Sequence, residues 1–427
     1  MESILRGIKK LLPASLTERI RPMWHYSLAW LGSLYYRHPS RSLTVIAVTG
    51  TKGKSTVTEI ITHILETEGY TVASLSTIQF KVAGIIEKNL FKMTTPGRFF
   101  VQHFLRQAVT AGCSHAVVEM TSEGAKQYRH AFIDFDALVF TNLTPEHIES
   151  HGSFANYKAA KLRLAEAVAS SPKRPRYLVA NIDNGHGTDF LNFPVEHTLP
   201  YSLHDLTLHS LQKDGVSLVL GDTTFRASLL GVFNVYNILA AITLTQAMGV
   251  SRSTISQALK TLPVIKGRVE LFHSPANYPK KITVVVDYAH TPDSLEQLYT
   301  AFKDVSKIGI LGNTGGGRDT WKRPEMGAIA ERFCKQIILT NEDPYDENPR
   351  AIVEAMAKGI TDQAKLSIIM NRRQAIRTAL VEASDGDYII VSGKGTDPYI
   401  MGALGTKQPW SDAAVVQEEL EKLVTAG

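Results

Sequence analysis

The chain has 427 residues, 44% hydrophobic and 20% charged, a composition that excludes a disordered or fibrous protein and allows two or three full-sized domains. Formal net charge is +5, but residues 1–43 hold seven Lys/Arg against two Asp/Glu, leaving 39 against 39 in the remainder. The body is electrically neutral, which argues against a nucleic-acid binder. Only Cys113 and Cys334 occur, far apart and without metal-type spacing, as in a reduced cytoplasmic protein.

Residues 1–42 are basic and aromatic and predict two short helices broken near Pro13 and Pro22. The uncharged run from Pro22 to Tyr36 is 15 residues long, short of the roughly 20 that cross a bilayer. No small-residue cleavage site follows it. Its Trp and Tyr residues suit a membrane-surface helix; packing against the next domain is the plainer expectation.

The next stretch organises the chain. A β-branched run, Thr44 to Val48, stops at Gly50-Thr51-Lys52-Gly53-Lys54-Ser55-Thr56, and an amphipathic segment follows through Ile60, Ile61, Ile64 and Leu65. Strand, glycine loop and helix in that order present backbone N–H groups to phosphate oxygens at a helix N-terminus. Lys54 supplies an ammonium and Ser55 a Mg²⁺-binding hydroxyl, which points to a nucleoside triphosphate. The general phosphate-loop pattern would place glycine at 48, where the residue is Val48.

From Leu43 to about Leu262 strands and helices alternate, which predicts a mostly parallel sheet covered by helices. Strand-like runs are Thr71–Leu75, Ala116–Met120, Ala137–Leu143 and Tyr177–Ile182, with helices at Phe99–Ala111 and Tyr157–Ala169. Residues 196–230 are turn-broken and β-like, and Asn234–Met248 is an apolar helix. A boundary at Thr261–Gly267 precedes a second α/β series, with strands at Ile282–Val286, Ile308–Leu311, Gln336–Thr340, Leu366–Met370 and Tyr388–Val391 and a closing helix, Asp412–Val424. The division is thus 1–42, 43–262 and 263–427.

Strand ends of open α/β sheets gather ligands. Glu119 stands at one such end and His147 follows another, a carboxylate and an imidazole that could hold a divalent metal near a triphosphate. Read singly, each is better explained as a surface loop residue.

Thr49-Gly50-Thr51-Lys52-Gly53-Lys54-Ser55-Thr56, the Glu119 segment, the approach to His147, and Phe154 to Lys161 resemble, in order and spacing, the motifs of the Mur ligases, ATP-dependent amide ligases of cell-wall precursor synthesis. Gly231 to Asn237, Lys266 to Glu270 and Asp287 to Pro292 extend the resemblance to nearly nine-tenths of the chain. It implies a central phosphate-loop ATPase domain, then a Rossmann-like C-terminal domain. It further implies ATP with two Mg²⁺ ions, Ser55 with the phosphates at the first, a carbamylated Lys161 at the second, and Glu119 and His147 as further metal-binding residues, with Lys54, Lys161 and His147 as the catalytic set. Asn234, Arg268 and Asp287 would contact nucleotide.

Within the family the MurE-type members match best, through Asp287 to Pro292, Gly315 to Gly327 and Ser392 to Gly395. The resemblance assigns Thr94, Thr95, Ser122 and Arg129 to a muramoyl-peptide-like acceptor, although Glu123 replaces a usual histidine. Arg318, Asp343, Lys394 and Asp397 would serve the rest of the substrate. It departs in two places. Only 43 residues precede the first strand, where MurE-type enzymes carry a UDP-binding domain. The motif that selects diaminopimelate, Asp-Asn-Pro-Arg, aligns with Glu342-Asp343-Pro344-Tyr345, and Tyr345 has no guanidinium fork for a distal carboxylate.

The expected protein is a cytoplasmic, monomeric ligase that joins an amino acid to a carboxylate through an acyl phosphate. A folylpolyglutamate synthase-like ligase and a non-catalytic ATP-binding homologue are the alternatives.

Overall fold

The computed structural model describes residues 14–425 apart from residues 147, 213 and 318. Helix α1, Ala14–Tyr35, leads into β1, Thr44–Thr49, whose β-branched residues are almost wholly buried because neighbours pair on both edges. Helix α2, Lys54–Thr67, follows directly. Its inward residues Val57, Ile60, Ile61, Ile64 and Leu65 are 0% exposed, each burial worth about 1.5–3 kcal/mol.

The first sheet continues with β2 (Val72–Leu75), β3 (Gln79–Val82) and β4 (Ile85–Lys88). Helix α3 (Arg98–Thr110), β5 (His115–Glu119), β6 (Ala137–Phe140), helix α4 (Phe154–Ala169), β7 (Tyr177–Asn181) and β8 (His197–Tyr201) complete it. The strand order is β4-β3-β2-β5-β1-β6-β7-β8, parallel except for the β2-β3-β4 meander. Alternate residues of β1 feed opposite faces, Ile46 and Val48 one core and Val45 and Ala47 the other.

A small antiparallel sheet, β9 (Leu208–Gln212), β10 (Gly215–Leu220) and β11 (Thr223–Ala227), packs Val216, Leu218 and Phe225 into the first of these cores. Helix α5, Val232–Ala247, is apolar around most of its circumference because it lies in that core beside α2. The second large sheet comprises β12 (Glu270–His273), β13 (Thr283–Val286), β14 (Lys307–Leu311), β15 (Gln336–Leu339), β16 (Leu366–Ile368) and β17 (Tyr388–Val391). Its order is β12-β13-β17-β14-β15-β16, with only β12 antiparallel.

Three expectations need correction. α1 passes through Pro22 instead of breaking there; Pro22 is exposed, where water can serve the carbonyl that loses its amide partner. Pro13 lies outside the described residues. The β3-β4 hairpin was not expected, because its outer strand is an edge with every residue exposed and no buried alternation. β6 ends at Phe140, not Leu143, since Thr141 and Asn142 bond the glycine loop: Thr141 Oγ1 donates to the Lys52 carbonyl at 2.6 Å.

Under the second sheet, the Arg372 guanidinium meets Asp412 through two bonds of 2.7 Å, both groups essentially unexposed, and donates to the Ser392 carbonyl at 2.8 Å. Removing either partner strands the other as a buried charge. Arg372→Met should therefore lose about 3–5 kcal/mol in urea unfolding, and a loss under 1 kcal/mol would show that water reaches the pair.

Candidate active site

β1 delivers its glycine loop between the ends of two parallel neighbours, with Val48 level with Glu119 and Thr49 level with Phe140. The loop tolerates no Cβ at two points. One at Gly50 (φ +152°) would lie 1.9 Å from Thr141 Oγ1, and one at Gly53 (φ +81°) 2.3 Å from Asn237 Oδ1. Asn237, on α5, is thus a packing partner of the loop; its Nδ2 donates to Asn234 Oδ1 at 2.9 Å.

Two lysines stand beside this loop, Lys161 buried and Lys54 half-buried at the cleft. Lys54 Nζ donates to the Thr51 carbonyl at 2.9 Å and Lys161 Nζ, from α4, to the Gly50 carbonyl at 2.6 Å. Burial lowers the pKa of both; Lys161 falls well below the usual lysine range, with Lys54 pushing it further. Opposite them, Ser55 Oγ donates to Glu119 Oε2 at 2.9 Å, and Thr77 donates its N–H and hydroxyl to the same carboxylate at 2.8 and 3.1 Å. A hydroxyl and a carboxylate form a hard-oxygen donor pair of the kind Mg²⁺ takes.

A cleft of about 500 Å³ opens here, lined by the loop from Thr51 to Thr56 and by Thr94, Glu119, Asn234, Arg268 and Asp287. Arg268 enters from the C-terminal half, with one guanidinium nitrogen 3.4 Å from Ser55 Oγ and its plane 4.6 Å from the Tyr288 ring centroid. Asp287 accepts the backbone N–H groups of Val269 and Ala289 at 2.8 and 2.7 Å, so in this state it fastens the loop that carries Arg268. Lys52 reaches Glu146 at 3.3 Å, and His290 Nε2 meets the same carboxylate at 3.0 Å.

Thr95, Ser122 and Arg129 lie behind the cleft wall: Thr95 Oγ1 donates to the Glu119 carbonyl at 2.8 Å, Arg129 donates to the Thr95 carbonyl, and Ser122 Oγ meets His151 Nε2 at 3.1 Å. Asp343, Lys394 and Asp397 gather in a separate buried charge cluster of the C-terminal half. There the Lys394 ammonium is 2.8 Å from Asp343 Oδ1 and 3.4 Å from Asp397 Oδ2. His147 and Arg318 lie outside the described residues. The sequence reading missed Thr77, Glu146, His290 and Lys92. Glu146 and His290 sat inside quoted motifs and could have been weighed there; Thr77 and Lys92 carried no such signal.

The Mur ligase middle domain family matches residues 48–245, and the Mur ligase glutamate ligase domain family matches residues 267–395. A UDP-N-acetylmuramyl-tripeptide synthetase of Roseiflexus sp. (strain RS-1) is 36% identical over 95% of this chain and 84% of its own length. The chain belongs to the Mur ligase family. A UDP-N-acetylmuramoyl-L-alanyl-D-glutamate–2,6-diaminopimelate ligase of Thermosynechococcus vestitus (strain NIES-2133 / IAM M-273 / BP-1) is also 36% identical, over 88% of this chain and 76% of the relative.

Among solved structures, a ligase of that same description superposes with a TM-score of 0.59 at 29% identity, covering 89% of this chain and 78% of the other. MurF from Acinetobacter baumannii gives 0.68 at 17% identity over 93% and 80% of the two chains. Mycobacterium tuberculosis folylpolyglutamate synthase gives 0.65 at 15% identity over 87% and 92%. The last two are likenesses of fold alone. Both Mur ligase sheets are mostly parallel, as expected from the sequence.

Burial, with Lys52 nearby, lowers the His290 pKa to about 4 against the opposing pull of Glu146. An unfolded chain titrates this ring near 6.5 and so binds more protons than the folded one at lower pH. Stability should fall as pH drops from about 6.5 toward 4, by up to roughly 1.4 kcal/mol per unit. His290→Gln should lose stability less steeply in urea melts at pH 7, 6 and 5; an unchanged slope would assign the loss to other groups.

Proposed function

We propose that this Mur ligase is an ATP-dependent ligase of MurE type, which joins an amino acid to the carboxylate of a muramoyl-peptide-like acceptor in the cytoplasm, as a monomer. We read the chain as 1–42, a central ATP-binding domain 43–262 and a C-terminal domain 263–427. One observation carries the reading: the Thr94 loop beside the phosphate-binding cleft lies within one lysine side chain of the Asp343–Asp397 pocket. An activated acceptor and an amino acid held at that site can therefore meet.

The acceptor carboxylate attacks the γ-phosphorus of ATP, forming an acyl phosphate and ADP, and the amine then displaces phosphate from the acyl carbon. Lys54 and the loop N–H groups stabilise charge on the transferred phosphoryl group. Mg²⁺ supplies further neutralisation of phosphate oxygens when bound. Ser55 would hold one ion and Glu119, with His147 and a carbamylated Lys161, a second. Among the described residues no cluster of three or more His, Cys, Asp or Glu could hold a metal, so phosphates, water and such a carbamate would complete the shell. The lowered Lys161 pKa favours the neutral amine, which adds CO₂ through its nitrogen and releases one proton.

With ATP, Mg²⁺ and UDP-N-acetylmuramoyl-L-alanyl-D-glutamate, phosphate release should require both acceptor and amino acid. Lys161→Ala should cut turnover about 100-fold or more while nucleotide binding persists, and short carboxylates should restore part of it. Equal turnover without acceptor and amino acid would overturn the ligase; full activity of the alanine variant would overturn the role of Lys161.

We also infer that α1 rests on an anionic membrane surface. It packs on α3 through Ala29, Gly32 and Ser33, with Gly32 3.6 Å from Phe99. The opposite face leaves Met23, Trp24, Trp30, Leu31, Leu34 and Tyr35 exposed, up to 74% at Tyr35. No described helix is long and apolar enough to cross a bilayer. The aromatic content and the surplus of five positive charges in residues 1–43 suit anionic headgroups. The protein should float with vesicles containing phosphatidylglycerol, and Trp24→Ser with Trp30→Ser should stay in the dense fraction. Absence of flotation by the unaltered chain ends the proposal.

A further inference from the structure

The pocket of Asp343 and Asp397 already contains a cation that belongs to neither the second sheet nor its loops. Lys92, from the loop between β4 and α3, places its ammonium against Asp343 Oδ2 and 3.5 Å from Asp397 Oδ2, with the Tyr345 ring centroid 5.6 Å away. Lys394 closes the far side, and the Met401 N–H donates to Asp343 at 2.8 Å. The Lys92 side chain is only 14% exposed. Burial would raise the Asp343 pKa, but the two lysines outweigh it and hold it below the usual carboxylate value.

A second observation marks the pocket as a seat for positive charge. Glu342, 2% exposed, donates no charge to an ion pair here: its Oε1 accepts from Thr314 at 2.9 Å, and its Oε2 has no hydrogen-bond partner among the described residues. Three carboxylates thus face two lysines. Burial holds Glu342 and Asp397 above the usual carboxylate pKa, so withdrawing Lys92 removes one of the two ammonium groups that favour the ionised forms of Asp343 and Asp397, a place that an alkylammonium from solution would take.

Lys92 is also mechanically tied to the first cleft. Two residues on, Thr94 Oγ1 meets Thr77 Oγ1 at 2.7 Å, and Thr77 holds Glu119; Thr95 bonds the Glu119 carbonyl. Lys92 itself stands at φ +53°, a backbone region that non-glycine residues seldom occupy and that a shifted loop would relax.

We propose that Lys92 is a resident occupant of the amine seat, which holds it until the acceptor engages the Thr94–Thr95 loop and withdraws the side chain. This rests on the ligase reading for the identity of the two substrates. Lys92 then sets the order of binding, and the carboxylates that it vacates set the preference for an amino acid with a second ammonium. A ligand that must displace a side chain occupying its seat nine-tenths of the time binds about tenfold more weakly than to the vacated seat.

The test is equilibrium binding of lysine, ornithine and norleucine to the full chain with a non-hydrolysable ATP analogue, which needs no turnover. Lys92→Met should bind lysine and ornithine about tenfold more tightly than the unaltered protein and norleucine equally. Saturating UDP-N-acetylmuramoyl-L-alanyl-D-glutamate should tighten lysine binding by the unaltered protein about tenfold, a comparison that stands even if Lys92→Met does not fold. Equal lysine binding by both proteins, or no effect of acceptor on the unaltered one, overturns the proposal. Absence of amide formation from every amino acid, with the lysine-against-norleucine difference intact, would instead remove the ligase reading and leave the seat.

Discussion

The turn from β1 into α2 has to pass between two strand ends with no side chain in the way. Gly50 turns beneath Thr141, and Gly53 lets Asn237 of α5 lie against the loop, so strand, helix and the apolar α5 converge on one backbone segment. The parallel pairing of β1 with β5 and β6 then dictates what surrounds it. Glu119 comes level with the last residues of β1 on one side, and Thr141 and Asn142 clasp Lys52 on the other. The site is the place where these strand ends and one helix N-terminus meet.

Charge in this site is arranged by burial more than by exposed pairing. Lys161 is fully buried and Lys54 half-buried, each is bonded to a loop carbonyl, and Lys54 disfavours the protonated form of Lys161. Lys161 is held toward its neutral form, and the anionic oxygens of a bound triphosphate would favour the protonated form of Lys54. Across the cleft Arg268 adds a mobile-length guanidinium whose loop is fixed by Asp287, so the C-terminal half contributes charge without surrendering its own fold.

Both layered sheets were legible in the sequence because their strands are buried on two faces and read as continuous apolar runs, as in Val45 to Val48 and Ile389 to Val391. The loop and Glu119 were legible for the same reason: residue type and strand-end position coincide. The β3-β4 hairpin was not, since Ile85 to Lys88 bury nothing and leave no periodic mark. Nor was Lys92. Its meaning comes from a partner 251 residues away, and a lone lysine between Phe91 and Met93 has no local signature of a contact made across the cleft. Asp287 lines the cleft as its motif implied, and its two carboxylate oxygens also hold backbone N–H groups, a role that the motif did not signal.

The central claim is that ATP activates an acceptor carboxylate in this cleft before an amine arrives. An acceptor labelled with ¹⁸O at both oxygens of the reacting carboxylate tests it directly. One carboxylate oxygen leaves with the phosphoryl group when the amine attacks, so each amide formed should release one phosphate carrying a single ¹⁸O. Amide formed with unlabelled phosphate would mean that the carboxylate never attacked phosphorus, and would contradict the account.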